Sequence, residues 1–215
     1  MGTLGEYMGA GTGTTLLNLH LNGNNTDSSG SSRSGSDTAI TYSVANGKFG
    51  QGASFNGSTS RISYATAAAL NPASFTLSLW LNPNTAINAG IWAASASGGP
   101  TIWVNGTSLG MDKAGTVAMA NISNAVTKNI WQYVVVTYNG STGDIIFYVN
   151  GKIAGSANST QTFTQKAMDI GVNLRTGGGD WYNGKMDEFV LENSIWTYQQ
   201  VYKQYTNYLG RFQII

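Results

Sequence analysis

The chain has no cysteine, one histidine, three prolines and few charges. Without cysteine there are no disulfide staples and no thiol nucleophile, which separates it from small cross-linked extracellular domains. Charged residues make up 10% of the 215, against roughly 25% in an average globular protein. Formal net charge is +1 and the lysines and arginines are scattered. Nucleic-acid binding needs a basic stripe to neutralise phosphates, so no nucleic-acid partner is expected. No apolar run approaches the roughly 20 residues of a membrane helix, so no membrane span is expected. The N-terminus lacks a basic region, and Leu16 to Leu21 is too short for a signal h-region, so no signal peptide is read there.

Asparagine, serine, threonine and 28 glycines take up the difference, while 11% aromatics supply a core and exclude disorder. The pattern is plainest from Trp131 to Lys152. Nearly every residue of Trp131 to Tyr138 is aromatic or β-branched, Asn139 to Asp144 supplies turn residues, and Ile145 to Val149 returns as a second strand. Trp131, Tyr133 and Val135 share one face, and Val134, Val136 and Tyr138 the other. Both faces are apolar, which places this hairpin centrally in a sheet covered on one side and lined with aromatics on the other. Leu17, Leu19 and Leu21 alternate with Asn18, His20 and Asn22, and Phe75, Leu77 and Leu79 with Thr76, Ser78 and Trp80. Pro83 is expected to end the latter strand.

Asn-Gly turns punctuate the chain at 22, 46, 56, 105, 139, 150 and 183. Many short strands with such turns predict an all-β fold of two antiparallel sheets. One short C-terminal helix is predicted over about 197–206, opened by the Thr197 and Gln200 capping-box pair. Its Tyr198, Val201, Tyr202, Tyr205 and Tyr208 recur at helical spacing as one stripe packed on the sandwich. Residues 1–15 form a Gly/Thr-rich arm, 16–208 the sandwich with its helix, and 209–215 a tail rich in apolar residues.

Lys48-Phe49-Gly50-Gln51-Gly52, Phe75 to Trp80, Trp131 with Thr137-Tyr138-Asn139-Gly140, Tyr148 to Lys152 and Gly184 to Phe189 occur in that order. Together they resemble the laminin-G-like branch of the concanavalin A-like lectin and glucanase superfamily, in a phage or bacterial type, over about residues 16–206. The resemblance implies a jelly-roll sandwich, often with Ca²⁺ near its rim, in proteins that recognise glycans, bind proteins or serve as accessory modules.

Enzymatic glycoside cleavage needs two flanking carboxylates. The Glu-x-Asp-x-Glu run of the glucanase relatives is missing, His20 is the single available imidazole base, and no G-x-S-x-G elbow exists. No catalytic residues are assigned. Asp187 shares alternation with Phe189 and Leu191, which puts a carboxylate on the core face, where it needs a partner. Two readings stand: structural Ca²⁺ shared with Asp27, or hydrogen bonds to a neighbouring loop's N–H groups or pairing with Lys185 or Arg61. For sugar binding the best loop is Asp180-Trp181-Tyr182-Asn183. Trp181 can stack on a sugar ring or cover a sheet edge, Asp180 and Asn183 can bond a sugar's hydroxyls, and Tyr182 reads as a core plug. Two functions compete. One is a non-catalytic surface module for glycan recognition and adhesion, extracellular or at a cell surface. The other is a structural virion protein, a phage head-decoration or tail component. In that role arm and tail would contact neighbouring subunits, another structural protein or the particle surface.

Overall fold

The computed structural model describes residues 13–85, 89–174 and 179–210. Most of the expected arm and residues 211–215 of the expected tail lie outside them. In chain order the strands are β1 (Thr15–Leu19), β2 (Ser36–Thr38), β3 (Thr41–Ser43), β4 (Gly52–Asn56), β5 (Arg61–Tyr64), β6 (Phe75–Thr85), β7 (Ala89–Ala94), β8 (Pro100–Asn105) and β9 (Ser108–Lys113). They continue as β10 (Val117–Ile122), β11 (Gln132–Tyr138), β12 (Asp144–Val149), β13 (Lys152–Asn158), β14 (Met168–Ile170), β15 (Val172–Asn173), β16 (Asp180–Trp181) and β17 (Asn183–Glu192), before the helix α1 (Tyr198–Gly210).

Two antiparallel sheets form a jelly-roll sandwich. The first has the order β13-β12-β11-β6-β17-β4-β3, with β1 also paired to β17. The second runs β10-β9-β8-β7-β14-β5-β2, and β15 and β16 form a separate ribbon. The central hairpin is as its sequence predicts: Val134 pairs with Val149 and Tyr138 with Ile145. Asn150 and Gly151 both take positive φ, at 50° and 74°, which matches the twist of a tight hairpin. The Asn150 side-chain oxygen accepts the Tyr133 N–H at 2.9 Å and pins this turn to the start of β11.

The two faces of β11 feed two separate cores. Val134, Val136 and Tyr138 join Leu77, Leu79, Trp92, Phe147 and Phe189 between the sheets. Tyr133 and Val135 point outward and join Trp80, Tyr148 and Trp196 beneath Val201 and Tyr208 of α1. Trp80 and half-buried Trp131 belong to the cluster under the helix, because they alternate opposite to the residues that face the second sheet.

The helix starts with the reciprocal cap predicted for it. Thr197 N–H donates to Gln200 Oε1 at 2.7 Å, and Gln200 N–H to Thr197 Oγ1 at 3.3 Å. It continues to Gly210, past the expected 206, so Leu209 is helical and not part of a tail. The expected single stripe divides in two. Val201, Gln204 and Tyr208 are buried, while Tyr198 and Tyr202, one turn apart, stack on each other at 6.2 Å and stay exposed.

Trp80 meets Phe49, Tyr133 and Tyr208 at centroid distances of 5.6, 5.6 and 6.0 Å. Trp80→Ala should therefore lower stability by ~3–5 kcal/mol, read as a fall in the urea midpoint, with half-buried Trp131→Ala costing less. An unchanged midpoint for Trp80→Ala would refute the second core.

Candidate functional site

The outer face of the first sheet is divided along β6. Thr76, Ser78 and Trp80 point outward and are buried. The next two outward residues, Asn82 and Asn84, lie past the aromatic cluster and open into a cleft of about 270 Å³. Its walls are Ser54 of β4, Asn82 and Asn84 of β6, Asn129 of the loop before β11, and Asn183, Gly184 and Lys185 of β17.

Local chemistry explains why the cleft forms there. The ladder between β6 and β11 ends at Leu81 and Gln132, just before Pro83, which has no N–H to continue it. The free Pro83 carbonyl accepts Asn129 N–H at 2.7 Å and folds that loop over the strand end. Pro83 thus ends the pairing on one side, yet β6 itself runs on to Thr85 against β17, beyond the end expected from the sequence. Gly184 makes this possible: at φ 152° a Cβ would run into the Asn82 carbonyl oxygen. Lys185 Nζ donates to the Ala45 carbonyl at 2.8 Å. Among the described residues the lining is amides, a hydroxyl and this one ammonium, with no carboxylate.

The structure divides the sugar-binding trio read from sequence. Asn183 lines the cleft. Asp180 and Trp181 pair with Asn173 and Val172 on the β15–β16 ribbon, half-buried and outside the lining. Tyr182 is fully buried with its ring edge-on to Phe55 at 5.6 Å, the core plug it was expected to be. Sequence reading missed Ser54, Asn82, Asn84, Asn129 and Lys185. The available signal was the Trp80-Asn82-Asn84 alternation, hidden by reading Pro83 as the strand's end.

Asp187 departs from its expected side. Met186, Phe189 and Leu191 are in the core between the sheets, but the register slips between Asp187 and Val190. Glu188, at φ 51°, is the inserted residue. Asp187 is thereby turned to the outer face, where Oδ2 accepts Lys48 N–H and Phe49 N–H, both at 2.8 Å, and Oδ1 accepts Glu188 N–H at 2.9 Å. Burial pushes its carboxyl up to about 7 against these N–H bonds, with the neighbouring Glu188 charge adding to the rise. Glu188 in turn meets His20 Nδ1 at 3.2 Å, and Glu192 accepts Trp196 Nε1–H at 2.6 Å.

Asp27 organises its own loop. Oδ1 accepts N–H groups from Asn18 and Ser29, and Oδ2 accepts Arg33 N–H and the Ser29 hydroxyl. Burial raises its pKa, but those bonds outweigh it and hold the group below the ordinary range. Hydrogen-bond donors thus face both carboxylates, and no cluster of three or more acid, histidine or cysteine ligands exists among the described residues. This donor set does not fit Ca²⁺, which takes six to eight oxygens.

The sequence profile described as the concanavalin A-like lectin/glucanases superfamily matches residues 56–202. A search of curated proteins returns no sequence match. Among solved structures, the binding domain of Paraclostridial Mosquitocidal Protein 1 superposes with TM-score 0.74 at 15% identity, covering 92% of this chain and 53% of that one. Domain 4 of AbnA, an extracellular arabinanase from Geobacillus stearothermophilus solved with arabinotriose, gives 0.72 at 19%, covering 89% and 98%. The binding domain of Botulinum Neurotoxin DC, solved with SialylT, gives 0.70 at 16%, covering 91% and 52%. The chain therefore spans about half the length of the two toxin domains.

The raised Asp187 carboxyl makes a signed prediction. Its neutral form favours folding, so this stability is fully present below the ordinary value of 3.8 and is lost as pH rises through about 7. Urea titrations between pH 4 and 7 should show a contribution with a slope of up to about 1.4 kcal/mol per pH unit, absent in Asp187→Asn. Parallel pH profiles for the two proteins would refute it.

Proposed function

The chain belongs to the concanavalin A-like lectin/glucanases superfamily, and from that membership we propose that it is a non-catalytic recognition module for neutral glycans. The observation that carries the reading is the cleft lined by Ser54, Asn82, Asn84, Asn129, Asn183 and Lys185. Each amide offers two N–H donors and an acceptor oxygen, the complement of a sugar's paired hydroxyls. Glycoside hydrolysis would need two carboxylates roughly 5–10 Å apart across the bond, and the described lining has none. The Lys185 ammonium gives one of its three N–H donors to a backbone carbonyl and keeps others for a ligand oxygen. The solved arabinotriose and SialylT complexes of structurally similar domains support carbohydrate as the ligand class. Such a module works at an extracellular, cell or particle surface.

Glycan-array binding should weaken several-fold in each of Asn82→Ala and Asn84→Ala, since one hydrogen bond contributes about 0.5–1.5 kcal/mol, with thermal stability unchanged. Binding that survives both substitutions but is lost in Trp181→Ala or Asp180→Ala would move the site to the ribbon. Absence of any neutral-glycan binding would overturn the proposal.

A second reading is a structural component of a particle. It is favoured by the exposed apolar side of α1, where Tyr198, Tyr202 and Leu209 leave 44, 49 and 39% of their surface in solvent. On this reading the chain self-associates, and Tyr198→Ser with Tyr202→Ser lowers the mass measured by light scattering. A monomer at high concentration, before and after substitution, would leave recognition as the sole role.

A further inference from the structure

Of the seven Asn-Gly pairs, five have a side-chain amide held by a hydrogen bond, and a sixth lies inside a paired strand. Asn22 Oδ1 accepts Gln51 N–H, Asn46 Nδ2 donates to the Thr41 carbonyl, and Asn56 Oδ1 accepts N–H groups from Ser58, Thr59 and Ser60. Asn139 Oδ1 accepts from Ser141 and Asn150 Oδ1 from Tyr133. Asn183 and Gly184 lie inside β17, paired on both sides. Several following glycine N–H groups are also committed: Gly23 to Leu21, Gly47 to Val44, Gly57 to Tyr182 and Gly140 to the Ser74 hydroxyl.

Asn105 is different. It is exposed at the tip of the β8–β9 hairpin, paired only with Ser108. Among the described residues its side chain and the Gly106 N–H make no hydrogen bond. Gly106 takes φ 61°, and a Cβ there would meet nothing within 4 Å. We infer that Asn105 is a self-modification site, the position at which this chain spontaneously deamidates first.

The Gly106 backbone nitrogen, as it loses its proton, attacks Asn105 Cγ. The new C–N bond closes a five-membered succinimide, the bond from Cγ to the side-chain nitrogen breaks, and ammonia leaves with that proton. Water then opens the ring at either carbonyl, giving aspartate or isoaspartate, and nothing is oxidised or reduced. The nucleophile needs an unbonded N–H and an electrophile free to rotate, and the other six sites lack one or both.

The consequence follows from composition. Eleven basic against 10 acidic residues give +1, and one further carboxylate makes 11 against 11, a formal net charge of zero. Proteins near zero net charge associate more readily, so the modification acts as an ageing switch on solubility. In isoaspartate the backbone also gains a methylene at the end of β8, which shifts the pairing of Asn105 with Ser108.

The full chain, aged for weeks at neutral pH and warm temperature, should be digested at lysine and arginine. Residues 62–113 contain a single Asn-Gly pair. That fragment should gain the mass of amide-to-acid conversion before any other, with isoaspartate among the products, as the isoelectric point falls. Asn105→Gln, whose longer side chain closes the ring poorly, should hold the isoelectric point constant over the same period. Earlier conversion at another Asn-Gly pair would overturn the inference. So would equal rates at all seven in the folded chain and in a urea-unfolded control.

Discussion

One buried carboxylate sets the arrangement of the first sheet's outer face. Asp187 draws the N–H groups of Lys48 and Phe49 onto β17, and that places two side chains. The Phe49 ring stacks on Tyr208 at 5.3 Å and meets Trp80 edge-on, while Lys48 Nζ lies 4.8 Å above the Trp80 ring. The helix therefore docks on a surface that the carboxylate has assembled. An amide would serve poorly, since its NH₂ nitrogen cannot accept the third N–H, which a carboxyl oxygen can in either protonation state. The strained Glu188 that turns Asp187 outward is part of the same device, costing on the order of 1–3 kcal/mol that the three N–H bonds and the helix contact offset.

The same face has two physical regimes side by side. Around Trp80 and Tyr133 it is dry, because α1 supplies Val201 and Tyr208 to cover the aromatics. Two residues further along β6 the outward positions become Asn82 and Asn84. An asparagine beneath a helix would need every amide atom paired, so this half is suited to water or to a polar ligand. Pro83 reinforces the division by stopping the β11 ladder at the boundary. On the second sheet, Trp103 lies across Gly110, where a Cβ would collide with its ring.

Strands that earn their pairing from their own side chains were legible in the sequence. β11, β12 and β6 combine β-branched or aromatic residues with clear alternation. β9 and β13 were not legible: SLGMDK and KIAGSAN are mixed, and Gly110 and Gly155 weaken both. Each is a return strand set by the turn before it, at Gly106 or at Asn150-Gly151, so its identity sits in the turn. Asp187 shows the other limit. Period-2 counting placed it in the core, and a single residue in left-handed conformation reversed its side. Such a bulge depends on what the inserted residue meets, here His20 from 168 positions away. The cleft was partly legible, since Asn183 was found from its loop. Its other residues come mainly from three separate segments, holding Ser54, Asn82 with Asn84, and Asn129, brought beside β17 by the fold.

The chemistry of the cleft also joins the two functional readings. Its groups are uncharged amides and a hydroxyl in an open, wet site, where each hydrogen bond replaces one made to water. Their gross contribution is a few kcal/mol, close to the roughly −4 kcal/mol of a millimolar affinity. No aromatic platform lies in the described lining to add stacking energy. A single copy would therefore hold a glycan weakly and release it quickly. Repetition changes this, because linked copies convert later binding events into intramolecular ones and raise avidity a hundredfold or more. An exposed stripe of Tyr198, Tyr202 and Leu209 on α1, built on the covered half of the same sheet, is a surface through which copies could be arrayed without occluding the cleft's amides. Assembly would then raise the effective affinity of so polar a site, which makes the two proposed roles physically compatible.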